Sequence, residues 1–395
     1  MNPLEKLLAA GQLAQAHAEA KKVLARQPTN QEALVVLAKL TLLEGKLPQA
    51  EELIAKAEAQ GATGDTVLLR ANVAAQKGQL DVALKAYQQV MAKEPKRAEA
   101  HFGRGMMLIK QDKPEQALES LAKAVQLAPE HSVYRYRLGQ VQLEAGKDAE
   151  GLATLRQVLS QHPRFMPAYL SLSHALASRD DLVGAKRVLE QGLKEIPRHP
   201  RLLASLTVLS MALRDVNASY KAASALAASR PRDPDAQANL AQLMLARGQY
   251  QQVMHLCRTM DSLGLATESL KMAEATCYEA EEPPAYDKAV AAYEAGMGLA
   301  PDGWRAANNL GQLLLRMSEE NEPQHLTRAV TVLEEAVRRA PQRPEPQLNL
   351  ALAFARAGQQ AKAREQVKKV LALPLPETDE VRQEAARLEQ ALAKA

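Results

Sequence analysis

The side chains that could do chemistry in this sequence are amides, guanidinium groups and aromatic rings that return at intervals close to 34 residues. The first set, called the middle group, mixes aromatic, cationic and amide side chains: Phe102, Tyr136, Arg137, Gln140 and His174. The second set, called the C-terminal group, is polar and basic: Asn239, Gln242, Arg305, Asn308, Asn309, Gln312, Arg316, Asn349 and Arg356. Aromatic residues and arginines dominate binding hot spots, and an asparagine amide both donates and accepts hydrogen bonds. These residue types favour non-covalent binding of a protein segment over bond-making chemistry.

Residues that could form a catalytic or metal centre are not grouped along the sequence. The eight histidines are scattered and form no HExxH pattern, and the two cysteines, Cys257 and Cys277, form no CxxC pair. Buried free thiols are the prediction for both cysteines, with a disulfide as the alternative. We therefore expect no catalytic residue, no metal and no cofactor, and predict that the chain is not an enzyme.

Composition argues against two further classes of function. The net charge is only +4 over 395 residues, and lysine and arginine are interleaved with aspartate and glutamate, which predicts a solvated surface without a nucleic-acid footprint. No apolar run approaches the roughly 18 residues of a membrane helix, so direct membrane insertion is not expected. Protein or peptide partners remain.

The start of the sequence bears on location. The stretch MNPLEKLLAAG carries Glu5 and Lys6 inside its apolar pattern, so it is not typical of a secretory signal. A cytoplasmic location is therefore expected. The first turn glycine, Gly11, lies so near the start that the helix before it is short. This leaves as an alternative that an export signal or anchor precedes this sequence and that the protein is periplasmic or membrane-anchored.

The elements that must position both groups belong to a repeat. Proline returns every 34 residues at Pro95, Pro129, Pro163, Pro197 and Pro231. Small residues lie twelve positions before each proline (Ala83, Ala117, Gly151, Ala185, Ser219) and twelve positions earlier again (Ala71, Gly105, Gly139, Ser173, Thr207). A fixed pitch of this kind indicates one structural unit repeated along the chain.

One repeat, RLGQVQLEAGKDAEGLATLRQVLSQHP from Arg137 to Pro163, shows what the unit is. Apolar residues recur at helical spacing before and after Gly146, which predicts two amphipathic helices. Gly146 supplies the left-handed turn between them, and the proline ends the second helix. Gly139 and Gly151 let the two helices approach closely. Elsewhere Asp or Arg replaces the turn glycine.

This pattern resembles the tetratricopeptide repeat family over nearly the whole chain. Its motif opens with a leucine and a small residue, as in Leu138-Gly139, Leu240-Ala241 and Leu310-Gly311. About eleven repeats are in register. The resemblance implies an all-α fold, a right-handed α-α superhelix of antiparallel helix pairs, in which the first helix of each pair lines a concave groove. We expect residues 1–374 to form one continuous solenoid with a truncated first repeat, and residues 375–395 to form a capping helix.

The family has two well-known arrangements of side chains that bind peptides. The C-terminal repeats resemble those of O-linked N-acetylglucosamine transferases, in which asparagines two residues before the small position hold a peptide main chain; here Asn239, Asn309 and Asn349 stand at that position. Earlier repeats lack the asparagine, and no glycosyltransferase activity is implied. The two-carboxylate clamp of the family is not found, because only Arg137 matches one of its positions.

The function predicted from these observations is a non-enzymatic protein-interaction scaffold or adaptor with the partner in the groove. The alternatives are a cell-envelope assembly factor, resembling the repeat proteins of bacterial polysaccharide export or pilus biogenesis, and a self-assembling structural solenoid. We expect a monomer or weak oligomer. Two irregular stretches, near 281–286 and 316–325, are alternative binding loops and mark the ninth and tenth repeats as a weak seam.

Overall fold

The computed structural model describes residues 3–318 and 323–394, and the elements in these ranges are α-helices. The chain forms two compact units, Met1–Pro197 and Arg198–Ala395, called here the N-terminal and the C-terminal unit. The helices of the N-terminal unit are α1 (Pro3–Ala9), α2 (Leu13–Arg26), α3 (Gln31–Leu43), α4 (Leu47–Glu58), α5 (Gly64–Gln76), α6 (Leu80–Lys93), α7 (Ala98–Lys110), α8 (Pro114–Leu127), α9 (Ser132–Glu144), α10 (Asp148–Gln161), α11 (Met166–Ala177) and α12 (Leu182–Glu195). Those of the C-terminal unit are α13 (Pro200–Ala212), α14 (Val216–Ser229), α15 (Pro234–Leu245), α16 (Tyr250–Ser262), α17 (Glu268–Glu279), α18 (Tyr286–Leu299), α19 (Arg305–Met317), α20 (Pro323–Arg339), α21 (Pro344–Arg356), α22 (Gln360–Leu371) and α23 (Glu380–Lys394).

The turn inside each helix pair follows the sequence prediction. Gly146 joins α9 to α10 with a φ of +75°, in the left-handed region that glycine adopts without a steric penalty. Three repeats make the same turn with another residue, at a φ of 57° for Asp112, 63° for Asp180 and 55° for Arg214. The predicted replacement of the turn glycine by Asp or Arg is thereby confirmed, and these side chains sit in a backbone conformation that L-residues disfavour.

The small residues bring the two helices of a pair into close contact, as expected. A Cβ atom added to Gly151 would lie 2.6 Å from Cγ of Leu143, and one added to Gly139 would lie 3.1 Å from Leu155. The alanines at corresponding positions, Ala83, Ala117 and Ala185, are fully buried. A larger side chain there would separate the helices and destabilise the pair by about 1–3 kcal/mol.

Within each unit, the second helix of one repeat packs on the first helix of the next repeat. Several odd-numbered helices, which are the first helices of their repeats, also contact one another. In the N-terminal unit α1 contacts α3, α3 contacts α5, α5 contacts α7 and α9 contacts α11. In the C-terminal unit α15, α17, α19 and α21 form the same succession. The odd-numbered helices of each unit therefore form a shared surface, called the inner face below.

The loop predicted in the ninth repeat lies where the sequence placed it. Helix α17 ends at Glu279 and α18 begins at Tyr286, so the proline-containing stretch near 281–286 joins them as a loop. The second stretch, near 316–325, includes residues 319–322, which lie outside the described residues. The last helix, α23, packs on α21 and α22 and buries Ala385 and Leu392. Within the described ranges, no helix combines the length and the apolar character needed to cross a membrane.

Candidate functional site

The middle group forms a connected set of side chains on the inner face of the N-terminal unit. The hydroxyl groups of Tyr136 on α9 and Ser171 on α11 lie 3.0 Å apart and share a hydrogen bond. The side-chain amide of Gln140 donates to the same Ser171 hydroxyl over 3.3 Å. Because Ser171 joins both residues to the next repeat, the aromatic ring and the amide are held in place before any partner arrives.

Arg137 and Phe165 complete this set. The guanidinium of Arg137 donates to the side-chain oxygen Oε1 of Gln140 over 2.9 Å, and its central carbon lies 5.7 Å from the Tyr136 ring centroid. Phe165 meets the same ring edge-on, with the two centroids 5.3 Å apart. Arg137 is exposed and Tyr136 is half-buried. The result is an aromatic platform with a solvated cation at its edge, which we call the Tyr136 cluster.

Two predicted members of the middle group lie apart from this cluster. Phe102 on α7 stacks on the buried ring of Tyr134, with their centroids 4.5 Å apart, and the ring of His131 also stacks on Tyr134, with centroids 3.7 Å apart. Phe102 thus contributes to the packing of α7 on α9. His174 is exposed on α11, one turn beyond Ser171.

The C-terminal group contains a buried amide pair. Asn349 on α21 donates from Nδ2 to Oδ1 of Asn308 on α19 over 2.8 Å, and both side chains are less than a tenth exposed. Asn309 is half-buried beside them, with its amide oxygen 3.4 Å from Nδ2 of Asn308. On α17, Ala275 occupies the position that corresponds to Asn309 and Asn349. The asparagines therefore do not form one uniform row: Asn349 faces the interior between α19 and α21.

Two of the three cations of the C-terminal group, Arg316 and Arg356, have partners within the unit. Arg316 pairs with Glu279 on α17, whose other carboxylate oxygen accepts a hydrogen bond from Tyr293 over 2.6 Å. Arg356 donates to the main-chain oxygen of Leu315 over 3.0 Å. The remaining members of the group point to solvent: Asn239, Gln242, Arg305 and Gln312. The guanidinium of Arg305 also lies beside the ring of Trp304.

A pocket that the sequence analysis did not identify lies on the inner face of the N-terminal unit. Its volume is about 580 Å³, and it is lined by Glu5, Leu8, Ala9, Lys39, Leu42, Leu43, Asp65, Leu68, Leu69, Asn72, Arg97 and Glu99. Asp65 is central to it, since it lies 3.6 Å from Nζ of Lys39 and also pairs with Arg97. Burial raises the pKa of Asp65, but the hydrogen bond from Arg97 and the charge of Lys39 outweigh that effect and leave the pKa below its ordinary value.

The sequence did carry a signal for this pocket. Lys39 and Asn72 directly follow the small residues Ala38 and Ala71, which is the register that Gln140 follows after Gly139. Polar residues in this register line the inner face in several repeats. The pocket itself could not be inferred, because its floor depends on how α1, α3 and α5 approach one another.

The two cysteines, Cys257 and Cys277, lie on α16 and α17 of the C-terminal unit. Cys257 and Cys277 are free and buried, as predicted, and their thiols donate to the main-chain oxygens of Leu270 and Tyr250. Burial raises the pKa of Cys257 to about 12 and that of Cys277 to about 11. Among the described residues, no three His, Cys, Asp or Glu side chains are grouped in a way that could hold a metal ion.

Antiparallel helix pairs of fixed length, joined by left-handed turns and packed through small residues, define a helical-repeat protein. Sequence models of the tetratricopeptide repeat match this chain over residues 68–132 and 324–374 in one version and over residues 7–71 and 108–176 in another, more than half of the chain together. The chain belongs to the tetratricopeptide repeat superfamily, whose repeats generally mediate protein–protein interactions.

Proteins similar to this chain include two longer curated relatives and one solved structure. A probable UDP-N-acetylglucosamine–peptide N-acetylglucosaminyltransferase of Arabidopsis thaliana, SPINDLY, is 27% identical over 105 residues, which are 27% of this chain and 12% of that protein. The cellulose synthase operon protein C of Pseudomonas fluorescens is 27% identical over 181 residues, 43% of this chain and 14% of that protein. The structure of yeast Tom70 is 14% identical with a TM-score of 0.49, and the match covers 99% of this chain and 94% of that one. This chain spans only a small part of the first two proteins.

Proposed function

We propose that this protein is a non-enzymatic scaffold that holds a segment of a partner protein on its inner face. The observation that carries the proposal is the Tyr136 cluster. Tyr136 and Gln140 are fixed by Ser171 across two repeats, so little side-chain freedom is lost when a partner binds. Tyrosine and arginine are enriched at the hot spots of protein interfaces, and here an exposed arginine lies beside a half-buried tyrosine ring.

The C-terminal group supplies a second contact region of different character. Its solvent-facing members on α15 and α19 are amides and one arginine, which hydrogen-bond to a main chain or to polar side chains with little sequence preference. Asn349 supports this region from beneath, because it fixes Asn308 next to Asn309. A partner segment that is extended along the inner face of the C-terminal unit fits these amides.

The test is affinity capture from a lysate of the native organism with four forms of the full chain. The Tyr136→Ala/Arg137→Ala variant is expected to lose the partner captured by the unchanged protein. A matched control, Tyr250→Ala/Arg232→Ala, removes an exposed tyrosine and an exposed arginine from other surfaces and should retain it. If the control loses the partner and the Tyr136 variant keeps it, binding does not use the Tyr136 cluster.

The C-terminal group has its own variant in the same experiment. Asn309→Ala/Gln312→Ala removes two amides from the inner side of α19 without breaking the buried pair formed by Asn308 and Asn349. Loss of the partner with this variant alone would place the main contact in the C-terminal unit. Retention with every inner-face variant would contradict the proposed site.

A second candidate function is assembly of a cell-envelope structure. It is favoured by the 27% identity with the cellulose synthase operon protein C over 181 residues, since that name places the relative in a polysaccharide synthesis operon. A cytoplasmic scaffold and an envelope factor differ in location. Fractionation of the native organism, with the protein detected by an antibody, therefore separates the two: recovery with the periplasm or membranes supports the envelope function, and recovery with the cytosol supports the first proposal.

The same proposal concerns the organisation of the chain. We infer that residues 1–374 act as one run of repeats. We also infer that residues 375–395 cap its last pair, because α23 covers α21 and α22 and buries Ala385 and Leu392 there. Terminal caps with a polar outer face keep repeat proteins soluble, so we expect this chain to be a monomer or a weak oligomer.

A further inference from the structure

The N-terminal end of the inner face carries a groove distinct from the Tyr136 cluster and the C-terminal group. The pocket of about 580 Å³ on α1, α3, α5 and the start of α7 adjoins a second pocket of about 360 Å³, which is lined by Glu5, Gln31, Glu32, Val35, Val36, Thr63 and Asp65. Glu5 and Asp65 line both pockets. We call the two together the N-terminal groove.

The floor of the N-terminal groove is apolar. Leu42, Leu68 and Leu69 form its base and are themselves nearly buried, while Leu8 from α1 closes one side. Leu43 stands at the rim and is 73% exposed, an unusual degree of exposure for a leucine that lines a pocket. Such a surface gains free energy when an apolar side chain covers it.

The walls of the N-terminal groove carry more negative than positive charge. Its carboxylates are Glu5, Glu32, Asp65 and Glu99, and its cations are Lys39 and Arg97.

Both cations are already engaged. Lys39 lies 3.6 Å from Asp65, and Arg97 pairs with Asp65, with Glu94 at 3.1 Å and with Glu99 at 3.3 Å. Four carboxylates against two cations give the N-terminal groove a net negative charge over its apolar floor, which attracts cations and disfavours anions.

We propose that the N-terminal groove binds a partner segment that combines leucine-like side chains with lysines or arginines. The apolar side chains would enter between α1 and α5 and cover Leu43, and the cations would lie against Glu32 and the other carboxylates of the rim. An acidic peptide is not expected to bind in this groove; it would bind to a surface that presents unpaired lysines and arginines. The inference rests on the proposed function, and it adds a location and a chemical class of partner to it.

The experiment uses fluorescence anisotropy with the full chain and three labelled octapeptides. The probe is acetyl-Leu-Lys-Lys-Leu-Leu-Lys-Lys-Leu-amide; one comparison peptide has Glu in place of each Lys, and the other has Ser in place of each Leu. The probe is expected to bind, and both comparison peptides should bind at least about tenfold more weakly, because each lacks one half of the complementarity. Binding of the probe should weaken as salt is raised from about 50 mM to about 300 mM.

Two variants locate the binding. Leu43→Ser and Glu32→Lys change exposed side chains, so the fold is retained, and each should weaken probe binding about three- to tenfold. The matched controls are Val208→Ser, which changes an apolar side chain that is 69% exposed in the C-terminal unit, and Glu334→Lys, which reverses an exposed charge there. The controls should bind the probe as the unchanged protein does.

The inference is overturned if the glutamate peptide binds as well as the probe, if salt has no effect, or if Leu43→Ser and Val208→Ser bind equally. It is also overturned if only Tyr136→Ala/Arg137→Ala weakens the probe, because the peptide then occupies the Tyr136 cluster. That last result would leave the proposed function standing. If every inner-face variant still captures the partner and the probe still binds at the N-terminal groove, the Tyr136 site is refuted and the N-terminal groove is retained.

Discussion

Replacement of Asn349 by leucine tests whether the buried amide pair holds α21 on α19. Asn349 donates over 2.8 Å to Asn308, and both side chains are buried, so Asn349→Leu leaves the Asn308 oxygen without its donor and away from water. An orphaned buried polar atom costs about 1–3 kcal/mol, which is the expected loss in the free energy of unfolding. The double variant Asn308→Leu/Asn349→Leu removes both partners, so it should be less destabilised than the sum of the two single variants by about 1–2 kcal/mol.

The assay is urea unfolding followed by tryptophan fluorescence. Trp304 is the single tryptophan and precedes α19, so its emission reports on the segment that contains the pair. The three variants and the unchanged protein complete a double-mutant cycle. Strictly additive effects, or a midpoint unchanged by Asn349→Leu, would show that the amide pair does not hold α21 on α19.

Three further predictions concern stability and reactivity. Arg214→Gly should stabilise the protein by about 0.5–1 kcal/mol, because Arg214 has a φ of 55°, which glycine adopts without a steric penalty. Gly248→Arg should destabilise the protein by a similar amount. Urea unfolding measures both changes, and the opposite signs would contradict the role of these residues in the turns. Deletion of residues 375–395 should make the mass measured by light scattering rise with concentration, whereas a constant mass would show that α23 is not needed as a cap. Cys257 and Cys277 should resist a disulfide reagent at pH 8 until urea is added, since burial raises the pKa of both thiols well above that pH; rapid reaction of the folded protein would show that they are accessible.

The helix pairs were predictable because their determinants are local. A turn glycine such as Gly146 and a close-contact residue such as Gly139 act within one repeat, and the fixed pitch repeats the signal. Even Arg214 at a positive φ follows from its position, 34 residues before Gly248. Pattern and propensity agree at every level of such a chain, which is the condition under which sequence reasoning succeeds.

The partners of the polar side chains were less predictable, because they depend on the distance between helices of neighbouring repeats. Asn349 and Asn308 are 41 residues apart, and Arg316 and Glu279 are 37 apart, so neither pair follows the 34-residue pitch. Extra residues in the ninth and tenth repeats shift the register there. The sequence therefore indicated which side chains belong to the C-terminal group, but not which of them are already paired.

The Tyr136 cluster was predicted in part. Tyr136, Arg137 and Gln140 were recognised as candidates, and the structure brings them together. Ser171 and Phe165 were missed as its organising residues, because a serine and a phenylalanine carry no distinctive signal on their own. Their role follows only from the approach of α11 to α9.

In the proposed function, a partner protein lies on the inner face of the N-terminal unit. The most direct measurement places a photo-crosslinking amino acid at His174, which is exposed on α11, and in a second protein at Arg156, which is exposed on α10. Both proteins are irradiated in the native lysate and analysed by mass spectrometry. We expect a partner crosslinked from position 174 and none from position 156; a partner crosslinked only from position 156 would contradict binding on the inner face.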